Sequence, residues 1–241
     1  MAHRYFLTDI NDNIATVQGD EAHHLCRVMR LRPGDEVVLC DREGFDYTAV
    51  AKDVNEKTIT FEVTSKQKNQ AEPCKNLTVY MALPKSDKLE FIVQKSCELG
   101  AKKLVPFISE YCVAQKSKKE DNKKARLAKI SAEAAKQCGR STPMEIGDTL
   151  TFRQMVQDMK NNDINLFFYE HADCPLKEID FAAMENVSVI IGSEGGFSEK
   201  ECALLGENGA VTISLGKRIL RCETAAVSAV TLTMYTLGEM E

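Results

Sequence analysis

Short runs of β-branched and aromatic residues dominate the first 65 residues. Such runs occupy residues 36–40, 47–50 and 58–63, and turn residues separate them. One helix is predicted over residues 20–30, with Asp20 as a candidate N-cap. Short strands at this spacing, with a single helical interruption, predict a small β-barrel.

A different pattern follows residues 65–73, a polar stretch that lacks apolar periodicity and ends in proline. We therefore expect a linker there and two domains, 1–72 and 73–241. Beyond the linker, apolar strand candidates alternate with helices, which predicts an α/β domain with a parallel sheet covered on both faces. The strand candidates are residues 77–83, 104–108, 164–169, 187–191 and 210–214, and the helix candidates include residues 86–99 and 121–138.

The composition restricts the class of protein. Lys and Arg total 31 against 36 Asp and Glu, and this net charge of −5 argues against a protein that coats nucleic acid non-specifically. No apolar run approaches the roughly 18 residues that span a bilayer, and the N-terminus lacks the apolar core of a signal peptide. The nine cysteines are scattered without a Cys-x-x-Cys pair. We expect a cytoplasmic protein without a disulfide framework, a membrane span or a metal.

A glycine-rich turn at residues 192–197 follows the strand candidate at 187–191. The next helix begins at Ser198, and Ser198-x-x-Glu201 has the capping-box pattern. Glycine lets a ligand approach peptide groups closely, and open α/β sheets bind ligands at the carboxyl ends of their strands. The spacing matches neither a P-loop nor a dinucleotide fingerprint. A ligand site and a plain strand-to-helix turn therefore both stay open.

A second candidate lies at residues 213–226, where a strand ends at Gly216 and a helix begins near Cys222. Arg221 and Glu223 come at this junction. They would lie beside the glycine-rich turn if the two strands are neighbours in the sheet. The alternative is an Arg–Glu pair that caps a helix, since a carboxylate is favoured near a helix N-terminus.

Polar residues also recur at helical spacing at the end of the helix candidate 121–138. Glu133, Gln137 and Arg140 would share one face, and Gly139 ends the helix. By itself this spacing indicates only an exposed polar face.

Basic residues cluster in two places on this acidic chain. In the N-terminal domain they would form a phosphate-contacting patch with the aromatic residues Tyr5 and Phe6. The second cluster is a lysine-rich run over residues 116–129. A solvated helix or loop face is the alternative for each cluster. The candidate RNA contacts are Arg4, Arg27, Arg30, Arg32, Lys116, Lys118 and Lys119.

The last helix candidate, residues 224–237, is apolar almost all round and carries small residues. Such a helix is buried on several sides. It packs either between the sheet and a neighbouring element or in a subunit interface. We expect a homodimer.

Four elements, in the right order over nearly the whole chain, together resemble a known family. Residues 192–197 resemble its Gly-Pro-Glu-Gly-Gly-Phe turn, and residues 215–225 resemble its Leu-Gly-x-Arg-Ile-Leu-Arg-x-Glu-Thr-Ala element. Residues 133–140 are similar to its Glu-Ala-x-x-Gln-x-x-Arg element, and residues 24–35 to its His-x-x-x-Val-x-Arg-x-x-x-Gly-Asp stretch. The 215–225 element is the most specific. The family is the bacterial 16S ribosomal RNA uracil-N3 methyltransferases of the SPOUT superfamily.

The resemblance implies an N-terminal PUA-like barrel that binds RNA and a C-terminal α/β domain with a deep trefoil knot. It also implies S-adenosylmethionine as methyl donor, a homodimer, and 16S rRNA of the small ribosomal subunit as substrate. Ser193 stands where the family usually has proline, and Cys222 takes a variable place often held by threonine. We expect the change at Ser193 to affect cofactor affinity first. The implied cofactor contacts are Leu83, Tyr169, Glu170, Gly192, Gly195, Gly196, Leu215, Gly216, Ile219, Leu220 and Arg221.

Methyl transfer to uracil N3 requires loss of the N3 proton. The candidate base is Glu223 or Glu194, and the candidate cation that stabilises the anion on O2 and O4 is Arg221 or Arg140. The sequence leaves both choices open.

Two other functions remain open at this stage. One is a SPOUT ribose 2′-O-methyltransferase that acts on transfer RNA, which should lack the barrel-like residues 1–65. The other is a non-catalytic RNA-binding ribosome-assembly factor with a vestigial cofactor cup.

Overall fold

The computed structural model describes residues 4–85, 87–112 and 120–240. The chain forms two compact units. One consists of Met1–Glu72 with Ala135–Pro143, and the other of Pro73–Ala134 with Met144–Glu241. Each unit contains its own hydrophobic core.

Residues 135–143 pack with the N-terminal unit, whereas the predicted division at residues 72–73 assigns them to the second domain. The Glu72 carboxylate accepts hydrogen bonds from the backbone N–H groups of Ser141 and Thr142, at 2.8 and 2.7 Å. It also pairs with the buried Arg140 guanidinium at 3.2 Å. Asn69 donates a hydrogen bond to the Gly139 carbonyl at 2.9 Å. These contacts join residues far apart in the chain, so neither composition nor periodicity signals them.

The N-terminal unit is a six-stranded sheet with one helix, α1 (Asp20–Arg27). Its strand order is β1-β4-β5-β6-β3-β2, and the neighbouring strands are antiparallel except for β1 with β4. The helix begins where the sequence predicts, but its N-cap is Gly19 rather than Asp20. The strands are β1 (Arg4–Phe6), β2 (Asp9–Asn11), β3 (Ile14–Gln18), β4 (Glu36–Cys40), β5 (Phe45–Val54) and β6 (Thr58–Lys68).

Alternation along the strands forms the core of this unit. In β3, Ala15 and Val17 are buried, whereas Ile14 and Gln18 are exposed. This period of two places one face of the sheet inward. Leu25 of α1 packs on that face and is fully buried. The predicted β-rich N-terminal domain is confirmed.

The C-terminal unit is built around a seven-stranded sheet whose paired strands are all parallel. Its strand order is β10-β8-β7-β12-β11-β13, and β9 pairs with β8. The strands are β7 (Asn76–Ala82), β8 (Lys103–Ile108), β9 (Glu145–Ile146), β10 (Leu150–Thr151), β11 (Ile164–Phe168), β12 (Asn186–Ile191) and β13 (Ala210–Ile213).

Helices accompany these strands, as the alternating pattern predicts. The central strands β7 and β12 are buried along almost their whole length, which is typical of a parallel sheet covered on both faces. This confirms the predicted α/β class. The helices are α2 (Lys88–Glu98), α3 (Glu120–Cys138), whose residues are divided between the two units, α4 (Phe152–Asp158), α5 (Glu199–Glu207) and α6 (Cys222–Thr236), with 3-10 turns at Met159–Asn161 and Leu176–Glu178.

The spatial order of the last three strands differs from their chain order. Because β11 lies between β12 and β13, the chain passes from β12 back across β11 to reach β13. In open α/β sheets, ligands bind in the crevice outside the carboxyl ends of strands at such a switch point. This is also where the resemblance implies a trefoil knot, which stays a prediction.

Candidate active site

A cavity of about 460 Å³ lies at the carboxyl ends of β11, β12 and β13. This volume falls in the range of small-molecule sites, roughly 300–1,000 Å³. Three loops form its walls, and each follows one of these strands: residues 169–170, 192–197 and 215–222. The cavity therefore occupies the switch point of the sheet.

The glycine-rich turn owes its shape to packing as well as to backbone conformation. A Cβ added at Gly192 would lie 2.8 Å from the Phe197 ring, and one added at Gly195 would lie 2.9 Å from the backbone oxygen of Tyr111. Gly196 has a φ of 66°, which favours glycine. Ser198 then caps α5, and Glu201 completes the capping box.

Phe197 holds the turn against the core. Its ring packs edge-on against Phe167 of β11, with 4.9 Å between centroids. Phe167 in turn stacks on Tyr169, which lines the cavity, with 5.2 Å between centroids. Aromatic pairs at these separations are favourable. One aromatic cluster thus fixes the ends of two neighbouring strands.

The loop before α6 presents backbone and apolar side chains to the cavity. Gly216 has a φ of 90°, and a Cβ added there would meet nothing within 4 Å. The side chain of Ile219 is 83% exposed. Arg221 is the N-cap residue of α6, and both it and Arg218 line the cavity. In the described part of the chain, neither arginine forms an ion pair with a carboxylate.

An ion-pair cluster lies at the edge of this cavity. The Lys88 ammonium, at the start of α2, is 2.8 Å from the Glu194 carboxylate and 3.0 Å from the Glu223 carboxylate. The Cys222 thiol lies 3.9 Å from the same nitrogen and donates a hydrogen bond to Glu223 at 3.3 Å. The side chains of Lys88, Glu194 and Glu223 are all partly buried.

The cluster favours the charged form of each of these three groups. Hydrogen bonds to Glu194 and Glu223 raise the pKa of Lys88 above its usual value. Burial would raise the pKa of Glu194, but hydrogen bonds from Lys88 and from backbone N–H groups outweigh it and lower this pKa. The pKa of Glu223 is lowered by a backbone hydrogen bond and by Lys88. Both carboxylates are therefore ionised at neutral pH.

Two departures from the family pattern lie in the cavity wall. Burial raises the pKa of the Cys222 thiol to about 12, so this thiol stays protonated at neutral pH. The Ser193 hydroxyl is buried and has no hydrogen-bond partner among the described residues.

Among the residues that the structure describes, there is no group of three or more His, Cys, Asp or Glu arranged to hold a metal ion. Nor does any described helix combine the length and hydropathy needed to cross a membrane.

The structure brings most of the predicted cofactor contacts into one cavity. Leu83 lies outside its lining; this side chain is fully buried at the end of β7, so it belongs to the core. The predicted contacts that do line the cavity are Tyr169, Glu170, Gly192, Gly195, Gly196, Leu215, Gly216, Ile219, Leu220 and Arg221.

The four candidate catalytic residues have different surroundings. Arg221 and Glu194 line the cavity, and Glu223 adjoins it through Lys88. Arg140 instead belongs to the N-terminal unit, where its buried guanidinium pairs with Glu72. Its role as a catalytic cation stays a prediction.

Sequence reasoning missed Lys88 and Arg218. Lys88 opens a helix that follows β7, the strand beside β12, so only the strand order brings it to the cavity. Arg218 is part of the 215–225 element, which could have identified it.

The candidate RNA contacts in the N-terminal unit also differ in their exposure and ion pairs. Arg27, Arg30 and Arg32 are exposed, and Arg27 pairs with Glu56. Arg4 is different, because it pairs at 2.7 Å with the buried carboxylate of Asp46 and thus stabilises the core. Its role in phosphate contact stays a prediction. The predicted contacts Lys116, Lys118 and Lys119 lie outside the described residues.

Comparison with known proteins places these features in one family. Residues 70–234 match the RNA methyltransferase domain family, and residues 17–64 match the RNA methyltransferase PUA domain family. The chain is 34% identical to ribosomal RNA small subunit methyltransferase E of Bacillus subtilis, covering 96% of each chain. It is 30% identical to the protein of the same name from Aquifex aeolicus, covering 96% of this chain and 99% of that one.

A solved structure shares both units. The ribosomal RNA small subunit methyltransferase E of Neisseria gonorrhoeae, crystallised with bound S-adenosyl methionine, is 28% identical to this chain. The two superpose with a TM-score of 0.88 over 98% of each chain. From the family matches and the identity to these relatives, the chain belongs to the RNA methyltransferase family of the ribosomal RNA small subunit methyltransferases E.

Proposed function

We propose that this protein transfers a methyl group from S-adenosylmethionine to N3 of a uridine in 16S rRNA of the small ribosomal subunit. The observation that supports this most is the cavity at the switch point of the sheet, walled by the glycine-rich turn and the loop before α6. A family relative with the same fold binds S-adenosyl methionine. Since bacterial ribosomes are cytoplasmic, the proposed activity places the protein in the cytoplasm.

The residues of the cavity fit this cofactor. Gly196 and Gly216 leave open space where a side chain would stand, so peptide N–H and C=O groups are accessible to an adenine ring. Leu215, Ile219 and Leu220 supply apolar walls. The carboxylate of Glu170 suits the positive charge of a sulfonium or an ammonium group. When bound, the cofactor supplies a methyl group on a sulfonium, and the chain aligns it for in-line attack.

The charges around the cavity favour one of the catalytic choices that the sequence leaves open. Glu194 and Glu223 have lowered pKa values and are held by Lys88, so they are weak proton acceptors in this geometry. Arg221 lines the cavity and pairs with no carboxylate in the described ranges, so its charge is free to act on substrate. We infer that Arg221 stabilises the negative charge that develops on uracil O2 and O4.

Methyl transfer from labelled S-adenosylmethionine to small ribosomal subunits that lack the modification tests the function. We expect labelled N3-methyluridine, identified by mass spectrometry of the digested 16S rRNA. A different methylated nucleoside would overturn the uracil-N3 assignment and retain the methyltransferase. Cofactor binding without transfer to subunits, naked RNA or assembly intermediates would favour a non-catalytic assembly factor.

The exposed arginines of the N-terminal unit are proposed to contact rRNA phosphates. Replacing Arg30 with glutamate reverses one charge on this face, so we expect RNA affinity to fall about tenfold at low salt, with unchanged S-adenosylmethionine affinity. The matched control is Lys68→Glu, which also reverses one exposed positive charge in the same unit. Lys68 lies at the end of β6, opposite Phe45 of β5, whereas β3 pairs with residues 58–62 at the other end of β6. Filter binding and calorimetry measure the two affinities. An equal decrease in RNA affinity in both variants would contradict a specific contact by Arg30.

A homodimer is proposed from the apolar side chains that α2 and α6 leave exposed. Tyr235 and Leu232 of α6 are 61% and 45% exposed, and Phe91 of α2, the helix that packs on α6, is 46% exposed. Solvent-facing aromatic and aliphatic groups on adjoining helices are typical of interfaces.

Light scattering tests the dimer. We expect a dimer mass for the native chain and a monomer mass for Tyr235→Asp, because a carboxylate would be buried without a partner. Ala203→Asp, on the exposed side of α5, should remain a dimer. A monomer mass for the native chain at every concentration would contradict the proposal.

A further inference from the structure

Lys88 joins three segments that are distant in the chain. Its ammonium contacts Glu194, in the turn after β12, and Glu223, in the first turn of α6. The Glu194 carboxylate also accepts a hydrogen bond from the backbone N–H of Lys85, before α2, at 3.2 Å. The loop before α2, the glycine-rich turn and the start of α6 therefore meet at one cluster of charges.

The two carboxylates of this cluster would repel each other without the ammonium. Both lie within 3.0 Å of the same nitrogen, and both are partly shielded from solvent, so their interaction is stronger than between fully exposed charges. Glu194 lines the cavity, and Glu223 adjoins one of its walls. Glu194 is part of the turn at residues 192–197, and Glu223 follows directly on the loop at residues 215–222. The spacing of these two walls thus depends on a cation between them.

We propose that Lys88 is a positioning residue for methyl transfer: its ammonium holds the glycine-rich turn against the start of α6 and so sets the width of the cofactor cavity. This inference rests on the proposed function, since the cavity must bind S-adenosylmethionine for its width to matter. Lys88 acts through Glu194 and Glu223 rather than by contact with the reacting atoms.

Protonation distinguishes this role from an ordinary surface ion pair. In the native chain, backbone hydrogen bonds and Lys88 lower the pKa of both carboxylates, so they stay ionised over the neutral range and cofactor affinity should change little with pH there. Without Lys88, the repulsion raises the pKa of one carboxylate. As the pH falls through this raised pKa, one carboxylate takes up a proton and the repulsion disappears. Cofactor affinity of a Lys88→Met variant should therefore recover on acidification.

Few other titratable groups contribute to this pH dependence. Among the described residues, the groups that face the Lys88 ammonium are Glu194, Glu223 and the Cys222 thiol, and that thiol has a pKa of about 12 and stays protonated. Glu170, Arg218 and Arg221 line the same cavity and are present in every variant. Their contribution is thus common to all the proteins compared.

Calorimetric titration of the full chain with S-adenosylmethionine tests the proposal. We expect Lys88→Met to weaken binding about tenfold at about pH 8, and to recover most of this loss at about pH 6. Lys88→Arg should bind as the native chain does, because it retains the cation. The double variant Lys88→Met with Glu194→Gln should restore affinity to within about threefold, since only one carboxylate remains.

The matched control is Lys95→Met, on the same helix. It removes an ion pair of similar length, Lys95 with Glu98 at 2.9 Å, that does not line the cavity. We expect unchanged cofactor affinity at both pH values. Circular dichroism of each variant checks that the fold is retained.

The outcomes separate the two proposals. If the native chain binds no S-adenosylmethionine, the proposed function fails. If the native chain binds it and Lys88→Met binds equally well at both pH values, the positioning role of Lys88 is overturned and the function stands. A loss of affinity that neither acidification nor the second substitution relieves also overturns it, because the loss then comes from packing rather than from charge.

Discussion

Parallel pairing of β11 between β12 and β13 is the constraint on which the site depends. Parallel strands end at the same edge of a sheet, so three loops that are distant in the chain meet there. Most of β11 and β12 is apolar and buried, which fixes their register by packing. The charged groups of this edge lie in the loops and at helix starts, where a ligand can reach them.

Packing and charge shape these loops in different ways. Phe197 anchors the glycine-rich turn to the aromatic core, and the same packing excludes a side chain at Gly192. At the cavity edge, Lys88 links this turn to α6 through two carboxylates. Ring packing thus fixes where the turn starts, and ion pairs fix where its outer edge lies.

The sequence predicted what depends on local pattern. Short β-branched and aromatic runs predicted the N-terminal strands, and apolar runs separated by helices predicted the parallel sheet. The 215–225 element was recognised because its resemblance to a family is specific, whereas the glycine-rich turn was recognised only together with it. Residues of both segments line one cavity. Arg4, Lys88 and Arg140 each form an ion pair that was not predicted, for one shared reason. Each pairs with a carboxylate far away in the chain, Asp46, Glu194 or Glu72, and no periodicity in a single sequence reveals such a pairing.

Bare glycine backbone after the end of β13 is proposed to form part of the cofactor site. Calorimetry with S-adenosylmethionine tests it through Gly216→Ala, because alanine is strained at a φ of 90° and no neighbouring atom is displaced. We expect binding by the native chain, about tenfold weaker binding by Gly216→Ala, and unchanged binding by the control Gly206→Ala in α5. Equal affinities for all three proteins, or no binding by the native chain, would contradict it.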